Sequence, residues 1–240
     1  MASVSIEDAE RVILDLCREM EETLLPTNVW KEMTEQDLWM ELVSCILGSQ
    51  VSYEHADSAL RHLCSLGLLD FKLLATKPSE SERRIQVELN KPLYLPIRKN
   101  GVRRKFRFPT TKARHICRTA INIYSNGNSI LEVLHDSKDS GDARNRIMAY
   151  CVGVGPKQAS LFLRNIGFSS DIAIIDTHVL RFMNLSGIAE KKDLSLSSDN
   201  GYFRLEKRFL HYAKAMNVSA GGLDRVIWSV MRMTHIGDGS

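Results

Sequence analysis

At 240 residues the chain is long enough for one large domain or two small ones, with ample material for a buried core. Hydrophobic residues at 44% and charged residues at 25% are ordinary for a soluble globular protein, and no apolar run reaches membrane-spanning length. Net charge is only +3, but 89–131 contains no acid and ten bases, which leaves 22 bases against 29 acids elsewhere. A block at +10 inside a remainder at −7 points to a polyanionic partner, nucleic acid first.

The opening residues lack the basic start and unbroken apolar stretch of a signal peptide, so the expected location is cytoplasmic rather than secreted. Ser5, Glu7 and Asp8 form a capping-box-like helix start, followed by Val12, Ile13, Leu16 and Met20 at helical spacing, with Pro26 as the stop. Thr34 and Asp37 open a second helix with Leu38, Leu42, Val43, Ile46 and Leu47 on one face, ending over 48–50. Ser52 caps a third, which closes at Gly67. Residues 77–108 break the rhythm: Ile85, Val87 and Leu89 alternate, Pro92 and Pro96 exclude a helix, and Asn100-Gly101 signals a turn. That stretch reads as a short basic β-hairpin or ordered loop. Helical patterns resume at 111–124, 129–135, 141–151, 177–185, 202–216 and 223–234. The fold class is therefore all-α with one small β insertion. Five dispersed cysteines suggest neither a disulfide framework nor a zinc site; Cys17, Cys45, Cys64 and Cys117 read as buried apolar residues.

Residues 151–181 carry the chemistry. Val152, Gly153, Val154 and Gly155 form an apolar glycine turn, and Pro156 suits the first turn of the helix that follows. Free amides at such a helix start accept a phosphate. Lys157 sits in that first turn, where its charge opposes the dipole. Asp176 follows the apolar run 172–175 and precedes a helix, where an aspartate is most often an N-cap.

This segment resembles the hairpin of the helix-hairpin-helix glycosylase superfamily, with Gly153, Gly155, Lys157, Ala159, Asp176, Thr177, His178 and Arg181 on its pattern. Stretches 39–50, 104–108, 112–116, 160–167 and 223–228 are similar to the compact 8-oxoguanine DNA glycosylases best known from archaea. The insertion is longer than that family's connection, and the tail after Trp228 does not resemble its Gly-Lys-rich end. The resemblance implies two helical subdomains flanking a DNA-binding cleft, with 1–33 and 186–240 as one. The other is 34–185, which carries the basic insertion 77–108 and the helix-hairpin-helix 141–166. It implies a bifunctional DNA glycosylase and AP lyase acting as a monomer on double-stranded DNA holding a damaged purine, 8-oxoguanine first.

In that reading Lys157 is the nucleophile and Asp176 stabilises an oxocarbenium-like sugar. Gly153, Val154, Gly155, Arg103, Arg104, Lys105, Arg107 and Lys112 contact DNA. Gln50 fills the space left by the flipped base, or is only a polar residue at a helix end. Trp228 and Asp224, one helical turn apart, stack on and hydrogen-bond the base, or are a core Trp beside a surface Asp. No cofactor is implied: no cysteine follows Cys151, which excludes the iron–sulfur cluster of the endonuclease III branch, while a monovalent cation at the hairpin is compatible. Two other readings stay open, a glycosylase for another modified base and a non-catalytic DNA-binding module; binding alone needs neither Lys157 nor Asp176.

Overall fold

A computed structural model describes residues 6–20, 28–95, 101–190, 192 and 198–233. Among these residues the chain forms twelve α-helices and one antiparallel β-hairpin, and it divides into two compact units. The central unit is 30–162 and the terminal unit joins 1–29 to 163–240. The boundary after Phe162 lies well before the one expected at 185, for a reason visible in packing. Ala173, Ile175, Val179, Phe182 and Met183 are buried in one cluster with Leu205, Phe209, Leu223 and Ile227.

In the central unit, α2 (Glu35–Gly48) starts at a reciprocal capping box, Thr34 accepting from the Asp37 amide and Asp37 from the Thr34 amide. Its face Leu38, Leu42, Val43, Ile46 and Leu47 is fully buried, as the spacing requires. Trp39 joins that core and donates its indole N–H to the Leu69 carbonyl at 2.9 Å. Next come α3 (Tyr53–Ser65), closed by Gly67 at φ +63, and α4 (Phe71–Thr76). Then α5 (Pro78–Asn90) occupies 13 residues of the expected non-helical stretch 77–108. Pro78 stands in its first turn, where proline is tolerated, and Ile85 and Leu89 are both buried one turn apart while Val87 is exposed. The apparent alternation was thus a helical i, i+4 pair with an exposed apolar residue between.

The hairpin pairs β1 (Pro92–Leu95) with β2 (Val102–Lys105), Leu93 opposite Arg104 and Tyr94 opposite Arg103. Its connection spans 96–101, and Pro96 and Asn100 lie outside the described residues. Leu93 and Leu95 are buried, and α3 holds the ribbon through Ser58 to the Tyr94 carbonyl at 2.6 Å. The unit is completed by α6 (Pro109–Tyr124), α7 (Ile130–His135), α8 (Ser140–Tyr150) and the first turns of α9 (Pro156–Asn165).

The terminal unit packs α1 (Ile6–Met20), α10 (Thr177–Leu185) and α11 (Asp199–Ala215) around α12 (Ala220–Met233). The buried face of α1 is Ala9, Ile13 and Cys17, whereas Val12, expected inside, is 49% exposed. Ser5 and Pro26 lie outside the described residues. Cys17, Cys45 and Cys117 are buried as expected; Cys64 is exposed, facing away from the Ala56–Ala59–Leu63 stripe. No helix of the described residues is long and apolar enough to cross a membrane.

Candidate active site

Lys157 belongs to the central unit and Asp176 to the terminal unit. Lys157 stands directly after Pro156 in the first turn of α9, half-buried, behind the turn 152–155. The first helical bond runs from the Ala159 amide to the Gly155 carbonyl at 3.0 Å, so the amides of Lys157 and Gln158 precede the helical ladder and face outward for an anion. Side chains of α6 seat the turn. Thr119 accepts from the Val152 amide at 3.0 Å, and Asn122 donates to the Tyr150 carbonyl at 2.9 Å. Arg144 of α8 donates to Ser160 of α9 at 3.1 Å, tying together the two helices that flank the turn.

The two glycines do different work. Gly153 has φ +74, and a Cβ there would come within 2.0 Å of the His115 ring. At Gly155 a Cβ would meet nothing within 4 Å. Of the two, the fold itself requires glycine only at 153; at 155 there is open space where a side chain would stand. Val154 is buried between them. His115 is held toward its neutral form by burial, with Lys112 and Arg114 adding to the effect.

Gln50 is exposed and has φ +60, a left-handed conformation that costs a non-glycine residue about 1–2 kcal/mol. Phe108, 40% exposed, is also left-handed at φ +62. Arg107 links them: its guanidinium lies 4.6 Å from the Phe108 ring and 3.5 Å from the Gln50 carbonyl. Strained positions held by their surroundings concentrate at functional sites. Neither conformation leaves a mark in the sequence.

Arg103, Arg104, Lys105 and Arg107 are all exposed. Register places Arg103 and Lys105 on the hairpin face that carries Tyr94 and Pro92, and Arg104 on the face of Leu93 and Leu95. Lys112 corrects the expectation of a DNA contact. It is 4% exposed and donates to the Ile46 carbonyl in the last turn of α2 at 2.6 Å, and burial lowers it to about 8. Its place on α6, one turn past Phe108, turns the side chain inward, so it is not a free cation for a phosphate.

In the terminal unit Asp176 is the N-cap of α10. Its Oδ1 accepts from the amides of His178 and Val179, both at 2.9 Å, and Oδ2 takes no part in that cap. The preceding segment is neither helix nor strand, and side chains satisfy its amides. Ala173 donates to Glu206 at 3.2 Å, Ile174 to Asp224 Oδ2 at 2.7 Å and Ile175 to the Tyr202 hydroxyl at 3.2 Å. Tyr202 in turn donates to the Ala173 carbonyl at 2.8 Å. The carboxylate of Asp176 therefore stands on backbone fixed from both sides.

Asp224 is 2% exposed, its other oxygen paired with Arg164, so it is a buried anchor of that segment rather than a free hydrogen-bonding group. Burial lowers Arg164 to about 9, with Arg225 adding to the effect and Tyr202 and Asp176 opposing it. Trp228 is half-buried, with Arg232 at 4.8 Å from its ring. Thus Asp224 and Trp228, expected to act together, are divided between a core role and a partly exposed ring. Glu206, Tyr202 and Arg164 had no signal in the sequence beyond polar residues within helical patterns.

The family model Ogg-HhH, 8-oxoguanine DNA glycosylase, matches residues 24–218. The 8-oxoguanine DNA glycosylase/AP lyase of Sulfolobus acidocaldarius is 34% identical over 195 residues, covering 81% of this chain and 82% of that one. The protein of the same name from Metallosphaera sedula is 33% identical over 198 residues, covering 82% and 83%. The fold is similar to that of the Methanocaldococcus jannaschii 8-oxoguanine glycosylase/lyase solved in complex with a 15mer DNA containing 8-oxoguanine. There the TM-score is 0.65 at 21% identity, over 94% of this chain and 91% of the other. With its family match covering most of its length, a glycine turn leading into Lys157 and a pinned Asp176, the chain belongs to the Ogg-HhH family of 8-oxoguanine DNA glycosylases.

Proposed function

We propose that this chain is a bifunctional DNA glycosylase and AP lyase that binds duplex DNA, flips out 8-oxoguanine and excises it. The observation that carries the reading is the 152–157 turn: an open Gly155, free helix-start amides and Lys157 directly behind them. Phosphates of one strand dock on those amides and on the basic hairpin. The attack needs the neutral amine of Lys157. Its Nζ bonds to C1′ as the glycosidic bond breaks, and the base leaves with its electron pair and a proton. The oxocarbenium character that develops is stabilised by the Asp176 carboxylate. Loss of the ring oxygen bond gives a Schiff base; removal of a C2′ proton then expels the 3′ phosphate by β-elimination.

Extrahelical capture of the base requires something to hold the duplex open, and the exposed Gln50 suits that role. Trp228 offers a ring on which the flipped base stacks. 8-Oxoguanine differs from guanine in carrying a hydrogen at N7. With both oxygens of Asp224 engaged, a backbone carbonyl is the acceptor left for it. A site built around such a bond rejects guanine, whose N7 would leave the acceptor unpaired.

Borohydride trapping on duplexes carrying 8-oxoguanine, guanine, uracil, hypoxanthine or a ring-opened purine tests the reading. Trapping and cutting should be at least tenfold faster on 8-oxoguanine, and Lys157→Gln should abolish trapping while leaving duplex binding. Undiminished trapping in the variant would place the nucleophile elsewhere.

A further inference from the structure

We infer that Lys112 is a positioning residue for Gln50, acting from inside the protein on the turn that presents it. The inference rests on the reading of Gln50 as the residue that occupies the space of the flipped base. Helix α2 runs to Gly48, and Ser49 and Gln50 follow it as a turn outside regular structure. The Ile46 carbonyl of its last turn takes the Ser49 amide at a long 3.4 Å and the Lys112 ammonium at 2.6 Å. Short, buried and charged, the second is the stronger of the two. A cation on terminal carbonyls also opposes the negative end of the helix dipole.

The residue just before the N-cap of α6 also touches the turn. Arg107 reaches the Gln50 carbonyl, and the Phe108 carbonyl accepts the Lys112 amide at 3.0 Å, the first helical bond of α6. The left-handed Gln50 is thus gripped before and after by residues five apart on one segment. A lysine so buried has no free head for a phosphate, and an apolar residue of its length would fill the space without bonding Ile46. The lysine is explained by what it fixes. Without it the Gln50 turn is free to relax out of its strained conformation, and the duplex is held open for less of the time.

Four variants test this: Lys112→Met, Lys112→Arg, Gln50→Ala, and Lys112→Met with Gln50→Ala. Each is measured by single-turnover excision of 8-oxoguanine, by fluorescence of 2-aminopurine beside the lesion as a report of flipping, and by duplex affinity across salt. Lys112→Met should slow excision about tenfold, equivalent to roughly 1.4 kcal/mol, and lower the flipping signal. The salt slope should not move, Lys112→Arg should recover most of the rate, and the double variant should be no slower than Gln50→Ala alone. A slope reduced by about 0.9 would make Lys112 a phosphate contact and overturn the inference. So would additive losses in the double variant, or a Lys112→Met enzyme as fast as wild type, with Gln50→Ala slow; these leave Gln50 in its role. A Gln50→Ala enzyme as fast as wild type removes the role of Gln50 and the inference with it.

Discussion

Asp176 has two jobs that substitution can separate. Its Oδ1 holds two amides of α10, both at 2.9 Å, and in the proposed mechanism the carboxylate supplies negative charge for the sugar cation. Asparagine keeps an oxygen in the Oδ1 position and ranks with aspartate as an N-cap, so the cap survives. Only the favourable interaction of a full charge with the helix start is lost, about 0.3–1 kcal/mol. Alanine removes the cap as well, for about 1–2 kcal/mol in all. Stability should therefore step down from Asp to Asn to Ala. Excision should not follow those steps. A preorganised charge aimed at the transition state is worth about a hundredfold or more, roughly 2.7 kcal/mol, and both variants lose it entirely. The assay pairs urea denaturation with single-turnover excision scored after alkali, so that base removal is read independently of lyase action. Asn nearly as stable as wild type yet as inactive as Ala is the expected pattern. If Asn excises the base at close to the wild-type rate, Asp176 is only a cap and the mechanism fails.

Gly153→Ala, which puts a Cβ against His115 at positive φ, should destabilise the protein by roughly 1–3 kcal/mol or more. Gly155→Ala should melt within a few tenths of a kcal/mol of wild type yet bind duplex more weakly, and equal binding would deny the turn its phosphate. Replacing Arg103 and Lys105 by Ala should shrink the slope of log K against log salt by up to about 1.8, and adding Arg104→Ala by up to about 2.7 in total; an unchanged slope would mean the hairpin faces away from DNA. Lys112 titrates near 8 in the folded protein against 10.5 when free, so its burial is a full penalty of roughly 3 kcal/mol below pH 8 that fades as pH rises to 10.5. Wild type should gain on Lys112→Met over that range in urea melts, and parallel curves would refute it.

Much of the fold was legible because it rests on periodicity and punctuation. The capping box at Thr34, the apolar face of α2 and the N-cap at Asp176 were visible as residue types at fixed spacing. Where two periods coincide, the reading failed: Ile85 and Leu89 satisfy both strand alternation and a helical turn, and only tertiary burial chose the helix. On α1 the exposed Val12 sits beside the buried Ile13, and hydrophobicity alone did not say which faced the core. The boundary differs because 173–183 packs into the terminal core, and an apolar pattern does not say which of two cores a helix joins.

Lys112 and Asp224 were misread for a shared physical reason. Each is a charged residue on a helix, and sequence reveals charge but not whether a helix turns it inward. Both are buried, and each gives its charge to backbone in another segment: Lys112 to the end of α2 before Gln50, Asp224 to the Ile174 amide before Asp176. Residues that must project from irregular backbone lose the hydrogen bonds that a helix or strand would supply, and buried amides and carbonyls need partners. A side chain from a neighbouring helix supplies them, and a charged one forms the stronger bond. A buried charge thus stands under each of the two irregular segments, the one that leads to Gln50 and the one that leads to Asp176.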